Sequence, residues 1–137
     1  MSYLLDTNVV SDLRRPARTN PGVATWIASV AAADVTISVI TLFELERGTQ
    51  QAEQKAPELG VQLRWWMEQV IRPSYLDRAI PVSADIALRA SALERRLTDD
   101  LADHLIAATA LVHDLTLVTR NEKHLRHPGV RILNPFT

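Results

Sequence analysis

Residues 3–8 read Tyr3-Leu4-Leu5-Asp6-Thr7-Asn8, a short apolar run followed at once by an acidic residue. Val9, Val10 and Leu13 then continue with the spacing of an amphipathic helix. This order predicts a buried strand with a helix directly after it. Because functional groups in open α/β sheets collect beyond the carboxyl ends of the strands, Asp6 is the first candidate site residue.

The composition is that of an ordinary globular domain. The chain has 137 residues, of which 47% are hydrophobic and 23% charged, with a formal net charge of −1. This length predicts one domain spanning residues 1–137. The sequence has no cysteine, which excludes disulfides and thiolate metal sites and suits a reducing compartment. With no apolar stretch near the roughly 20 residues needed to span a bilayer, we expect a cytoplasmic protein without a membrane partner.

Predicted strands alternate with predicted helices along the whole chain. The remaining strands are expected at residues 35–39, 79–82, 115–119 and 130–133, and Pro81 suggests an edge position for the second of these. Such alternation is typical of a parallel sheet covered by helices. The sequence therefore predicts an α/β fold with three layers, α/β/α, around a five-stranded, mostly parallel sheet.

Three further polar residues fall at the edge of the sheet where the strands end. Glu44 begins the helix after the second strand, Asp103 begins the helix leading into the fourth, and Asn121 follows the fourth strand. Each residue has a plainer explanation. Asn121, like Asp6, could simply cap a helix, and Thr41 with Glu44 fits a capping box. Asp103 in a first helical turn is favourable against the helix macrodipole. Capping, however, does not predict that all of them, together with Asp6, share one edge.

Crowded carboxylates cannot all stay ionised without a counter-charge, and a divalent cation is the natural one. Ligation by oxygen alone suits Mg²⁺ or Mn²⁺. A cation held in this way can supply hydroxide and stabilise the charge that develops during hydrolysis of a phosphodiester.

Four segments, in order, resemble the motifs of the PIN-domain family. They are Leu5–Ser11, Ile40–Gly48, Asp103–Ala110 and Leu117–Asn121, and the tail Asn134–Phe136 is similar as well. Within the family the chain is most similar to the VapC/FitB-type toxins of bacterial toxin–antitoxin pairs. The resemblance implies a Mg²⁺- or Mn²⁺-dependent ribonuclease that forms homodimers. It also implies inhibition by a cognate antitoxin that binds DNA, and assembly of the complex on operator DNA.

The resemblance also assigns roles to individual residues. Asp6, Glu44 and Asp103 match the catalytic acids that bind metal, and Thr7 matches a hydroxyl beside the metal. Asn121 takes the fourth catalytic position, which is acidic in some members. As an amide it would orient a water or a ligand instead of neutralising a second metal, so the number of metal ions stays open.

Other acids could complete the site. Glu122 follows the fourth position and could partly replace the missing charge there. Asp99 and Asp100 are alternative ligands, because the loop before the third motif is short and contains no glycine.

Basic and aromatic residues suggest further contacts. Arg120 could contact RNA phosphates, as could its basic neighbours and a second group after the first motif; these are Lys123, His124 and Arg126, and Arg14, Arg15 and Arg18. Arg47 could balance the acidic pocket when no metal is bound. Val61 and Trp65 lie off the main apolar face of their predicted helix and are candidate contacts for a partner protein.

Three alternative interpretations compete with this one. A phosphatase of the haloacid dehalogenase type needs an acid two residues after Asp6, where the chain has Asn8. A receiver-type phosphoacceptor needs a lysine after the last strand but one, where the chain has Thr119 and Arg120. The third is a catalytically weakened PIN-like protein that regulates its own operon with an antitoxin, which Asn121 alone favours.

Overall fold

A computed structural model describes residues 2–93 and 100–137. Within them, four parallel strands form a sheet of order β2-β1-β3-β4. The strands are β1 (Tyr3–Leu5), β2 (Val35–Thr36), β3 (Thr116–Val118) and β4 (Arg131–Leu133). The helices are α1 (Thr7–Asp12), α2 (Pro21–Ala28), α3 (Val39–Lys55), α4 (Pro57–Trp66), α5 (Arg72–Tyr75), α6 (Ala84–Ser91), α7 (Leu101–Val112) and α8 (Glu122–Leu125). A π-helical segment, Met67–Ile71, joins α4 to α5.

Alternate residues of β1 enter two separate cores. Leu5 packs in a cluster with residues of α1 and with Trp66, whereas Leu4 packs with Ile106 and Ala107 of α7. All of these side chains are buried. Since neighbouring residues of a strand point to opposite faces of a sheet, helices cover both faces, and the predicted three-layer arrangement is confirmed.

The predicted number of strands is wrong by one. Residues 79–82 contribute a single parallel bridge between Ile80 and Ser38 and do not form a strand in the described part of the chain. Pro81 has no N–H with which to extend the pairing, and Ser83 already caps α6. The bridge does lie beside β2, an outer strand of the sheet, as Pro81 suggested.

Helices α3 and α4 form a hairpin with very little space between its arms. A methyl group placed on Gly60 of α4 would lie 2.6 Å from the Cα atom of Glu53 on α3. Arg64 of α4 donates hydrogen bonds to Glu46 and Glu53 of α3, at 2.8 Å each. None of the helices in residues 2–93 and 100–137 is long and apolar enough to cross a membrane.

Gly60→Ala should destabilise the protein by about 1–3 kcal/mol, because the added methyl group overpacks against backbone atoms. Gly48→Ala is the matched control, since a methyl group there would meet nothing within 4 Å. In the middle of α3 that change should be neutral or stabilise by up to about 1 kcal/mol. Urea unfolding followed by circular dichroism measures both, and equal stability of Gly60→Ala and the wild type would contradict this packing.

Candidate active site at the carboxyl edge of the sheet

Asp6 lies directly beyond β1 and is only 5% exposed. Its Oδ1 atom accepts a hydrogen bond from the Thr7 backbone N–H at 2.8 Å, and it is the N-cap residue of α1. Its Oδ2 atom accepts from the Thr119 hydroxyl at 2.7 Å and from the Asn8 amide at 3.2 Å. Asp6 therefore caps α1 with one carboxylate oxygen and takes part in the candidate site with the other.

Glu44 is joined to the Asp6 segment through Thr7. The Thr7 hydroxyl donates to Oε1 of Glu44 at 2.6 Å and lies 3.1 Å from the Thr41 hydroxyl. The predicted capping box is wrong, because Ser38 caps α3 and Thr41 lies buried inside its first turn. One turn further along, Glu44 is free of a capping role and is half-buried beside α1.

Ionisation is costly for both acids. Burial raises the pKa of Asp6, and the hydrogen bonds from Thr119, Thr7 and Asn8 oppose that rise. Burial also raises the pKa of Glu44, the bond from Thr7 lowers it, and the charge of Asp6 raises it further. A positive charge placed between these carboxylates would remove this penalty.

Helix α7 brings Asp100 to the same region. Asp100 caps it, accepting a hydrogen bond from the Ala102 N–H at 2.9 Å, and Asp103 lies half-buried in its first turn. The charge of Asp100 raises the pKa of both Asp6 and Glu44. Asp100, a secondary candidate from the sequence, therefore lies within electrostatic reach of the pair. Asp99, the other secondary candidate, lies outside the described residues.

Asn121 follows β3 closely, as predicted, and its backbone is fixed to the site. Its N–H donates to the Thr119 hydroxyl at 2.9 Å. The side-chain amide lies 3.1 Å from Nδ1 of His124 and does not cap α8. Glu122, the other candidate at this position, forms an exposed ion pair with Arg126 at 3.5 Å.

Two arginines that the sequence places near the site stack on aromatic rings. The guanidinium of Arg120 lies 4.9 Å from the centroid of Phe136, and that of Arg47 lies 5.7 Å from the centroid of Phe43. Arg47 is not among the described groups that lower the pKa of Asp6 or Glu44. The expectation that Arg47 balances the acidic pocket is therefore not met in this structure.

Thr119 and Asn8 are site residues that the sequence reasoning missed. The Thr119 hydroxyl donates to Asp6 while it accepts from Asn121 and, at 3.3 Å, from the Asn8 amide. Asn8 also accepts from the Arg120 backbone N–H at 3.2 Å. Thr119 directly follows the buried strand β3, and Asp6 directly follows its neighbour β1. This proximity can be recognised only once the strand order is known.

The donor set suits a divalent cation in its chemistry. Asp6 and Glu44 offer carboxylate oxygens whose repulsion a cation would relieve, and Mg²⁺ commonly binds through one or two carboxylates while keeping several waters. Among residues 2–93 and 100–137, no three acidic or histidine side chains are grouped closely enough to bind a metal together. The carboxylate pair accordingly provides a starting point for a metal site, not a complete ligand sphere.

Residues 3–130 match the family model of the PIN domain. The chain belongs to the PIN-domain family. This PIN domain is 33% identical to the toxin FitB of Neisseria gonorrhoeae, with 97% of each chain covered. It is 30% identical to the VapC ribonuclease Y4jK of Sinorhizobium fredii, over 97% of this chain and 96% of that one. The resemblance drawn from the four motifs is therefore confirmed.

Solved structures agree with this assignment over nearly the full length of the PIN domain. The crystal structure of FitAcB from Neisseria gonorrhoeae superposes with a TM-score of 0.82 at 33% identity, covering 97% of both chains. VapBC2 from Rickettsia felis, bound to a DNA fragment from its promoter, superposes with a TM-score of 0.72 at 26% identity, covering 98% of both.

Thr119→Val should destabilise the protein by about 1–3 kcal/mol, because the Asp6 carboxylate and the Asn121 N–H both lose a buried partner. It should also raise the pKa of Asp6, which the Thr119 bond lowers. Urea unfolding and carboxyl carbon NMR titration measure the two effects.

Thr49→Val is the matched control for this experiment. Its buried hydroxyl donates at 2.8 Å only to the Leu45 carbonyl within the same helix, so its loss should change stability by less than about 1 kcal/mol. If both variants lost the same stability and the Asp6 pKa stayed constant, Thr119 would have no special part in the site.

Proposed function

We propose that this PIN domain is the toxin of a type II toxin–antitoxin pair and acts as a Mg²⁺- or Mn²⁺-dependent endoribonuclease. The observation that carries the proposal is the buried Asp6 carboxylate linked through Thr7 to Glu44 at the carboxyl edge of the sheet. Relatives named a toxin and a VapC ribonuclease, aligned over almost the whole chain, support it.

In this proposal Asp6, Glu44 and Asp103 hold the cation, with water ligands bridging to any acid too far away to bind it directly. Thr7 keeps Glu44 in place through its 2.6 Å hydrogen bond. When bound, the cation would polarise the scissile phosphate and lower the pKa of a water ligand. Asn121 would orient a water or the substrate, since its amide cannot add negative charge.

The RNA would reach this edge between basic segments. Arg120 is exposed, and its backbone is held next to Asp6 by Asn8, so its guanidinium can contact a phosphate without moving the main chain. Arg15 and Arg18, in the loop after α1, are exposed as well and could extend the contact.

Asp6→Asn and Glu44→Gln should each lower RNA cleavage by at least about 100-fold, since each removes a charge that holds the metal. Cleavage of labelled total RNA in Mn²⁺ or Mg²⁺ should also stop when EDTA is added. Asp34→Asn, a change of an exposed acid in a distant 3₁₀ turn, is the control and should cleave normally. Persistence of cleavage in Asp6→Asn would refute the acidic site.

A catalytically weakened protein that only binds its antitoxin is the second candidate, and the amide at Asn121 is the observation that favours it. The thermal unfolding midpoint separates the two candidates, because metal binding to the folded site raises that midpoint whether or not RNA is cut. A midpoint that rises with Mn²⁺ in the wild type but not in Asp6→Asn, without any cleavage, would favour the weakened protein.

A second surface suits the antitoxin. Val61 and Trp65 on α4 are 72% and 63% exposed, and with Gln62, Trp66 and Arg14 they line a mostly apolar groove. Burial and the neighbouring charge of Arg15 lower the pKa of Arg14.

An antitoxin segment with apolar side chains and one acidic residue would therefore satisfy both the tryptophans and Arg14. We also expect a homodimer and a larger complex with the antitoxin on operator DNA. The Rickettsia felis VapBC2 structure, which holds a promoter fragment, supports the last step.

Trp65→Ala should weaken the complex with the antitoxin by at least about tenfold, because exposed aromatic side chains are frequent anchors of interfaces. Calorimetric titration with the cognate antitoxin measures the affinity. Leu76→Ala removes another exposed apolar side chain, which is 53% exposed, and should not change it. Equal affinities for the wild type and Trp65→Ala would place the antitoxin elsewhere.

A further inference from the structure

Phe43 immediately precedes Glu44 on α3 and is 59% exposed. A single exposed apolar residue is common and shows nothing by itself. Here, however, the Arg47 guanidinium lies 5.7 Å from the ring centroid. Ring and cation therefore form one surface unit, which we call the Phe43–Arg47 platform.

The spacing of helical residues connects this platform to the candidate active site. Residues three and four apart are neighbours on a helix surface. Arg47 is three residues after Glu44 and four after Phe43, so it lies between the acid and the ring. Beyond it, Gln50, Gln51 and Gln54 continue the same outer face of α3 and line a shallow groove with the platform.

One cation of this groove, Arg47, is available to an anion. The acid in its lining, Glu46, accepts hydrogen bonds at 2.8 Å from both terminal nitrogens of Arg64, and this pairing lowers its pKa. By contrast, Arg47 forms no ion pair with any residue in the described ranges 2–93 and 100–137. Its charge remains available to a ligand. Gln50 already donates to Glu46 at 2.9 Å, whereas the amides of Gln51 and Gln54 can both donate and accept hydrogen bonds.

We propose that the Phe43–Arg47 platform is a subsite for a base of single-stranded RNA next to the cleaved phosphate, an inference that rests on the proposed ribonuclease function. A base would stack on the exposed face of Phe43, and Arg47 would contact the adjoining phosphate. Glutamine side chains would hydrogen-bond to the edges of the base. The polar groove fits RNA better than an apolar peptide, for which the groove around Trp65 is the better match.

The test combines binding and cleavage by the purified chain. Fluorescence anisotropy in EDTA measures the Kd for labelled decaadenylate and for a decamer of the same backbone without bases. Phe43→Ala should raise the Kd for decaadenylate about tenfold, as expected for one lost stack, and leave the Kd of the abasic decamer unchanged. Phe43→Trp should restore binding, and Leu76→Ala should match the wild type.

Cleavage kinetics in Mn²⁺ give a second readout. Phe43→Ala should raise KM about tenfold and leave kcat within about twofold, because the lost stack is present before and during the reaction. Arg47→Ala should reduce the slope of log Kd against log salt concentration by about 1, because one phosphate contact is lost.

Three results would overturn the subsite. The first is unchanged Kd and KM in Phe43→Ala. The second is equal weakening of the abasic decamer, which would mean that the ring does not stack on a base. The third is loss of antitoxin affinity with unchanged RNA affinity, which would make the platform a protein contact. A wild type that neither binds nor cuts RNA would instead refute the proposed function, and the subsite with it.

Discussion

The hydrogen bond between the Thr119 hydroxyl and the Asp6 carboxylate depends on the register of the two central strands. Leu5 of β1 is opposite Val118 of β3, so the next residue of each strand lies at the same edge. The Asp6 backbone N–H also donates to the Val118 carbonyl at 2.9 Å. A shift of one residue would send the carboxylate to the opposite face of the sheet, and both Asp6 and Asn8 would lose the Thr119 hydroxyl as a partner.

Burial raises the free energy needed to ionise the two acids of the site. The pKa values of Asp6 and Glu44 are both raised, chiefly by desolvation, and Asp100 adds repulsion from the start of α7. Three protein donors to Asp6 offset part of that cost. The remaining cost of ionisation is the physical reason why the edge is suited to a cation. Apolar side chains such as Leu5 and Val10 pack beneath the edge.

Features that depend on topology could be predicted from the sequence, whereas features that depend on local competition could not. Asp6, Glu44 and Asn121 could be placed at one edge because parallel strands share their carboxyl ends. The prediction of a fifth strand was wrong because Ser38 and Ser83 begin helices on either side of the expected pairing. Capping preferences do not show which of two nearby serines or threonines becomes the N-cap residue. Thr119 was missed because its partner is 113 positions away in sequence. Asp100 was a candidate from the sequence only as an alternative ligand. Its effect on the pKa values of Asp6 and Glu44 acts through space, and no spacing pattern reveals it.

The loop that carries Asn121 is attached to the sheet by main-chain atoms. The N–H of Asn121 binds Thr119, and the N–H of Arg120 binds Asn8, so neither bond uses the side chain at position 121. An acid could therefore replace the amide at position 121 while both main-chain hydrogen bonds of the loop are kept. The charge of this edge can thus be varied by a single residue whose side chain contacts His124 of α8 and takes no part in the two main-chain bonds to the sheet edge.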